Sequence, residues 1–306
     1  MESVLDIAAQ STHAGDSKVD VGAGAAVRPE PQGNSRVLAI SGALGFLGFG
    51  NMGTAIAKGL VKSATIPAGQ MYAFDVKTES AKGIEQIGGT QVESAADLAR
   101  RSQTLILAPK PQDMEVALNS VAGQLDDNAL VISIAAGVSI SFIQGVLGED
   151  RHVARVMPNL SALVEAGAAG IALSASCSKE DGDVTKAIFE SIGIAEQVPE
   201  ESLDAVTALS GSGPAYYFAL VEACVEAGVS LGLREDQATR LAEQTLYGAG
   251  LTLKRSGESA ATLRERVTSK GGTTAAALAC FEERDLKGTV RAAMEAAAAR
   301  SEELRQ

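Results

Sequence analysis

Apolar positions along this chain fall into two regimes. Between about residues 43 and 198, short apolar runs alternate with stretches of helical spacing. The predicted strands are 43–48 (with 37–41 leading in), 71–74, 104–108, 129–135, 153–157, 167–174 and 194–198. Helical spacing covers 79–87, the stretch from Lys110-Pro111 to about 122, 139–147, and the interval between the last two strands. Thr104-Leu105-Ile106-Leu107-Ala108 is apolar almost throughout, as a strand buried on both faces must be. Such alternation predicts an α/β fold, Rossmann-like and doubly wound on a mainly parallel sheet.

After Pro199 the strand signals stop. Helical spacing covers 202–209, 214–232, 235–257, 260–267, 273–284 and 286–300, with breaks at Gly211-Ser212-Gly213, Gly232, Gly257 and Gly271-Gly272. This half is rich in Ala and other small apolar residues, and long Ala-rich faces need partners, so a homo-oligomer built on it is expected. Residues 1–35 carry turn-forming residues such as Gly22, Gly24, Pro29 and Pro31 and read as a disordered N-terminal extension. The expected domains are therefore 1–35 as extension, 36–199 as the dinucleotide-binding Rossmann domain, and 200–306 as an all-helical domain.

Composition narrows the function. The net charge is −12, which makes nucleic acid and anionic membranes poor partners for the surface as a whole. With 2 histidines and no tryptophan, there is little material for a His-based triad or a stacking platform. Cys177, Cys224 and Cys280 lack metal-ligand spacing and read as buried apolar thiols, so no metal is expected. No apolar run approaches a membrane span. The extension leans acidic, unlike a transit peptide, so a cytoplasmic protein is expected, with plastid import as the alternative.

The strongest candidate chemistry is Gly48-Phe49-Gly50-Asn51-Met52-Gly53, a glycine turn between a predicted strand and a predicted helix. Such a turn lets backbone approach a pyrophosphate, and the helix beyond it offers free N–H groups and a positive dipole end. Met52 and Gly53 make it a variant of the usual spacing. Asp75 closes the second strand, where a carboxylate can accept hydrogen bonds from ribose hydroxyls, while nearby Lys77 could pair with a 2′-phosphate. That pair leaves the choice between NAD and NADP open. Lys110, held between Pro109 and Pro111, and Asn159 of Met157-Pro158-Asn159 end later strands at the same ligand-facing edge. Asn159 suits either orienting a nicotinamide or capping its loop. Ser212 and Gly213 before Pro214 read as a helix cap.

A second glycine turn, Thr268-Ser269-Lys270-Gly271-Gly272-Thr273-Thr274, also opens a helix. Its N–H groups can form an anion nest suited to a small carboxylate. It carries no obvious acid, base or nucleophile. A nicotinamide reaction here should therefore need little proton transfer, as in hydride delivery to a C=N bond.

These two turns, together with Ser133-Ile134-Ala135-Ala136-Gly137-Val138 and Ser210-Gly211-Ser212-Gly213-Pro214-Ala215-Tyr216, resemble 1-pyrroline-5-carboxylate reductases from about residue 43 onward. The resemblance implies reduction of 1-pyrroline-5-carboxylate to L-proline, the last step of proline biosynthesis, by hydride from NADPH or NADH. It also implies a helical dimerisation domain, with dimers assembling further, to a decamer in some members. Cofactor residues would be Gly48, Gly50, Asn51, Met52, Gly53, Asp75, Lys110, Pro111 and Asn159. Ser269, Gly271, Gly272 and Thr273 would hold the substrate carboxylate, and the Thr274 hydroxyl would meet the ring nitrogen. Lys270 stands where the family usually has Pro, and Leu160-Ser161 where it has Thr-Pro. The alternatives are a β-hydroxyacid-type dehydrogenase, which would want a catalytic Lys that 213–250 lacks, and a non-catalytic binding or assembly module.

Overall fold

A computed structural model describes residue 40 and residues 42–305. The expected extension at 1–35, and all of the lead-in at 37–41 except Ile40, lie outside the described residues. The described chain forms two compact units, one made of 42–220 with 281–305, the other of 221–280.

The first unit is a doubly wound sheet. In chain order it holds β1 (Leu44–Leu47), α1 (Asn51–Lys62), β2 (Met71–Phe74), α2 (Thr78–Ala81), β3 (Thr90–Gln91), α3 (Ala95–Arg101), β4 (Thr104–Leu107), α4 (Met114–Val121), β5 (Leu130–Ser133) and α5 (Ile140–Leu147). It continues with β6 (Val153–Met157), β7 (Gly167–Leu173), α6 (Lys179–Glu190), β8 (Gly193–Gln197), α7 (Leu203–Val206) and the start of α8 (Gly213–Ser230). The 8 strands lie in the order β3-β2-β1-β4-β5-β6-β7-β8. All neighbours are parallel except β6 and β7. Between those two the chain has only the 3-10 turn Leu160–Val164, too short for a crossover helix, and Glu165 at φ +58° reverses it.

Strand alternation sends side chains to two cores. Phe46, Ile106 and Ile132 face Ile56 and Leu60 of α1 and Phe189 of α6. Leu105, Leu107 and Val131 face Leu98 of α3, Met114 and Leu118 of α4, and Ile143 of α5. The helices start where their polar residues cap them: Ser94 accepts from Asp97 N–H at 3.1 Å, and Ser178 with Asp181 closes a capping box on α6. Helix α3 and the two-residue β3 were not among the expected elements. The stretch Ala95-Ala96-Asp97-Leu98-Ala99 offers one large apolar side chain, too little for a periodic signal.

The chain leaves β8 through α7 into the π-helical turn Thr207–Gly211, then directly into α8. This corrects the expected cap at Ser212-Gly213. Ser212 N–H donates to Thr207 C=O at 2.8 Å, five residues back, so helical backbone runs through the position. After α8 come α9 (Glu235–Ser256), α10 (Ala260–Arg266), α11 (Thr273–Glu283) and α12 (Leu286–Glu303).

Helix α12 belongs to the first unit. Ser301 Oγ donates to buried Asp204 at 2.8 Å, and the Arg305 guanidinium donates to the same carboxylate. Buried Arg155 donates from Nη1 to Glu200 at 3.0 Å, and Glu200 also accepts from Ile140 N–H at the start of α5 at 2.9 Å. The hydrophobic pattern of the chain carries no trace of either cluster, because both join polar residues far apart in the chain.

In the second unit the helices leave large apolar side chains exposed, among them Leu231, Leu241 and Tyr247. The cysteine expectation needs correcting here. Cys177 is half-buried, and burial pushes its thiol pKa up, but Cys224 on α8 and Cys280 on α11 are exposed. Within one chain, nothing among the described residues covers the faces that carry them. Among the described residues no helix is long and apolar enough to cross a membrane, and no group of three or more His, Cys, Asp or Glu is placed for a metal ion.

Candidate active site

The first glycine turn lies where the strand order reverses, between β1's neighbours β2 and β4. Doubly wound sheets bind ligands at this crevice, outside the carboxyl ends of the strands. Gly48 has φ +87°, and a Cβ there would stand 2.9 Å from the carbonyl atoms of Ala108, so only glycine fits. Gly48 N–H donates to Phe74 C=O and Phe49 N–H to Asp75 Oδ2, both at 2.8 Å. The Phe49 ring is buried edge-on against Phe46, with centroids 5.3 Å apart, and anchors the turn in the core.

Gly50 is the N-cap of α1, and a Cβ on it would meet nothing within 4 Å. No side chain among the described residues caps this 12-residue helix, and its first turn, Asn51, Met52 and Gly53, holds no acid. An uncapped N-terminus beside an open glycine fits a pyrophosphate, whose oxygens would accept the free N–H groups.

Around the same sheet edge the structure gathers the other expected cofactor residues. Asp75 directly follows β2, with Oδ1 taking a second hydrogen bond from Lys77 N–H at 2.8 Å. Lys110 is exposed in extended backbone, with Pro111 opening a 3-10 turn. Asn159 sits beyond β6 with both ends of its amide engaged. Nδ2 donates to Ser210 C=O at 3.0 Å, and Oδ1 accepts from Ala168 N–H at 3.1 Å. The Ser210 carbonyl is free to accept because Pro214, four residues on, has no N–H. Asn159 thus fastens β6, β7 and the π turn together, a role that spacing alone did not reveal. The signal was the pairing of Pro214 with a downstream-facing carbonyl, visible only once the helix was known to continue through it.

The second glycine turn lies in the other unit. It follows α10, where Thr268 Oγ1 donates to Arg264 C=O at 2.6 Å. Gly271 takes φ +73°, Gly272 N–H donates to Ser269 C=O at 3.0 Å, and α11 starts at Thr273 with no acid in its first turn. Ser269, Gly271 and Thr273 are exposed, and Gly272 and Thr274 half-buried. The structure therefore places the expected cofactor residues in one unit and Ser269 to Thr274 in the other.

A doubly wound sheet with an open glycine turn at its switch point, followed by helices with uncovered apolar faces, is the architecture of a dinucleotide-binding protein. Residues 200–304 match the family described as pyrroline-5-carboxylate reductase dimerisation, and residues 43–137 match NADP oxidoreductase, coenzyme F420-dependent. A pyrroline-5-carboxylate reductase of Methanosarcina acetivorans is 38% identical over 262 residues, 85% of this chain and 97% of that protein. The one from Glycine max is 37% identical, covering 85% and 95%. Among solved structures, the Coxiella burnetii reductase superposes with a TM-score of 0.84 at 31% identity, covering 87% of this chain and 100% of that one. The Plasmodium falciparum reductase with NADP bound gives 0.75 at 30% identity, covering 87% and 99%. The chain belongs to the pyrroline-5-carboxylate reductase family. It is an oxidoreductase of the NAD(P)H-dependent kind, and its dimerisation region supports assembly into an oligomer.

Proposed function

We propose that this chain reduces 1-pyrroline-5-carboxylate to L-proline, the last step of proline biosynthesis. Family membership over most of the chain supports the reaction, and the observation that carries it here is the uncapped α1 N-terminus beside open Gly50. The bound dinucleotide supplies a hydride. Gly50, Asn51, Met52 and Gly53 would hold its pyrophosphate by backbone N–H groups, while Gly48, whose own N–H is bonded to Phe74 C=O, supplies the tight turn that lets it approach. Asp75 takes the adenosine ribose, and Lys110, Pro111 and Asn159 line the cofactor along the sheet edge. Ser269, Gly271, Gly272 and Thr273 hold the substrate carboxylate in a nest of N–H groups. Thr274 orients the ring nitrogen through its hydroxyl. Hydride adds to ring carbon 5, and the electron pair of the C=N bond goes to nitrogen. When the imine enters protonated, no protein acid is required, and besides hydroxyls and N–H groups the loop offers only the exposed Lys270 ammonium. The chain's contribution is chiefly proximity and orientation.

In this reading residues 36–199 form the cofactor domain and 200–306 the dimerisation domain. The exposed apolar side chains of α8 and α9 meet a second copy in a homodimer, and dimers associate further, up to a decamer. The compartment is the cytoplasm, with plastid import as the alternative that a fluorescent fusion of the full chain separates.

The test mixes purified protein with 1-pyrroline-5-carboxylate and either reduced cofactor, following the loss of cofactor absorbance. Turnover with at least one cofactor is expected; none with either would overturn the proposal. A Thr274→Ala variant should lose roughly 10- to 100-fold in kcat/KM, the worth of one hydrogen bond at the reacting atoms. A full rate in that variant would remove Thr274 from the mechanism.

A further inference from the structure

We infer that Asp75 makes this chain prefer NADH over NADPH, an inference that rests on the reductase reading above. The geometry carries it. Asp75 stands at the end of β2 with both carboxylate oxygens fixed: Oδ2 by Phe49 N–H of the glycine turn, Oδ1 by Lys77 N–H, each at 2.8 Å. Gly48 N–H, bonded to Phe74 C=O at 2.8 Å, locks the strand end to the same turn. The carboxylate therefore cannot swing away from the place where a doubly wound sheet receives the adenosine ribose. Each oxygen keeps lone-pair capacity for a ribose hydroxyl.

A 2′-phosphate would bring about two negative charges against this fixed anion, out of full solvent screening because Asp75 is half-buried. Two cations lie on the following segment. The Lys82 ammonium is bonded to Glu79 at 2.7 Å. Lys77 is exposed, and its backbone N–H is committed to Asp75, so its ammonium is a screened charge on a flexible stem. A fixed repulsion therefore outweighs an unfixed attraction.

Isothermal titration of the full-length protein with NADH and with NADPH, without substrate, tests this. Wild-type protein should bind NADH at least tenfold tighter. Asp75→Ser should lower that ratio tenfold or more, through a gain in NADPH affinity. Asp75→Asn, which keeps an acceptor for Phe49 N–H, should do the same and guards against misfolding of the serine variant. Lys77→Ala should leave the ratio within twofold. NADPH bound as tightly as NADH by the wild type, an unchanged ratio in folded Asp75→Asn, or a selective tenfold loss of NADPH in Lys77→Ala would each overturn the assignment. Binding of neither nucleotide would instead sink the reductase reading and the inference with it.

Discussion

Asn159 offers the sharpest test of how the fold holds its site. Its amide serves a donor and an acceptor at once: Ala168 N–H on β7 and Ser210 C=O in the π turn. Replacing it with Ala removes both hydrogen bonds and leaves two part-buried backbone groups to find water. Losing each bond while its partner group stays only partly solvated costs about 1 to 2 kcal/mol. The sum is about 2 to 4 kcal/mol. For a unit of this size each kcal/mol lowers Tm by about 2 to 4 °C, so Asn159→Ala should melt about 5 to 15 °C below wild type. Asn159→Asp is the discriminating partner. It has the same shape and still accepts from Ala168 N–H, yet it sets an oxygen against the Ser210 carbonyl in place of a donor. It should melt no higher than the alanine variant near neutral pH. The assay is circular dichroism against temperature at fixed protein concentration, since an oligomer's Tm depends on it. An aspartate variant as stable as wild type would refute the reasoning, because packing alone would then explain the residue.

Other outcomes follow from the same geometry. Gly48→Ala places a Cβ 2.9 Å from the Ala108 carbonyl at a φ of +87°, so nucleotide affinity should fall by tenfold or more in a titration; retained affinity would mean the turn can shift. Arg305→Ala removes a cation from buried Asp204 and should cost about 1 to 3 kcal/mol in denaturant unfolding, discounted because Arg305 reaches solvent. That cost should vanish in the background of Asp204→Ala. Arg234 and Arg240 hold the Asp236 carboxyl below its ordinary value of 3.8. A depressed folded pKa gives stability that is present above the unfolded value and lost as pH falls through the folded one. The stability gap between wild type and Asp236→Asn should therefore be constant near neutrality and close below about pH 4; a gap that widens on acidification would contradict it.

Much of the first unit was legible because its strands are buried on both faces, and continuous apolar runs such as Leu105-Ile106-Leu107 have few other homes. The glycine turn was legible for a similar reason: strand, Gly48 and helix follow without a gap. What sequence reading lost were features set by partners distant in the chain. The π turn looked like a helix break because Gly211, Gly213 and Pro214 usually are one; Tyr216 Oη donates at 3.0 Å to Ala208 C=O, which the widening frees, and Asn159 donates to Ser210 C=O, which Pro214 leaves free. Cys224 and Cys280 looked like core thiols because Ala-rich helices look buried, whereas a single chain leaves their faces bare. The residues from Ser269 to Thr274 were located by motif and resemblance, and their roles rest on the experiments above.

The contact between Asp204 and the far end of α12 has a consequence during synthesis. Ser301 is made 97 residues after Asp204. At roughly 5 to 20 residues per second, that is about 5 to 20 s of translation. The nucleotide-binding unit is thus begun early and sealed late, with its buried carboxylate waiting for both partners while the intervening helices emerge. A nascent chain in that interval carries an acid still without its Ser301 and Arg305 partners, alongside bare apolar helix faces. Pulse proteolysis of stalled chains should find this unit soft before Arg305 has emerged and firm afterwards.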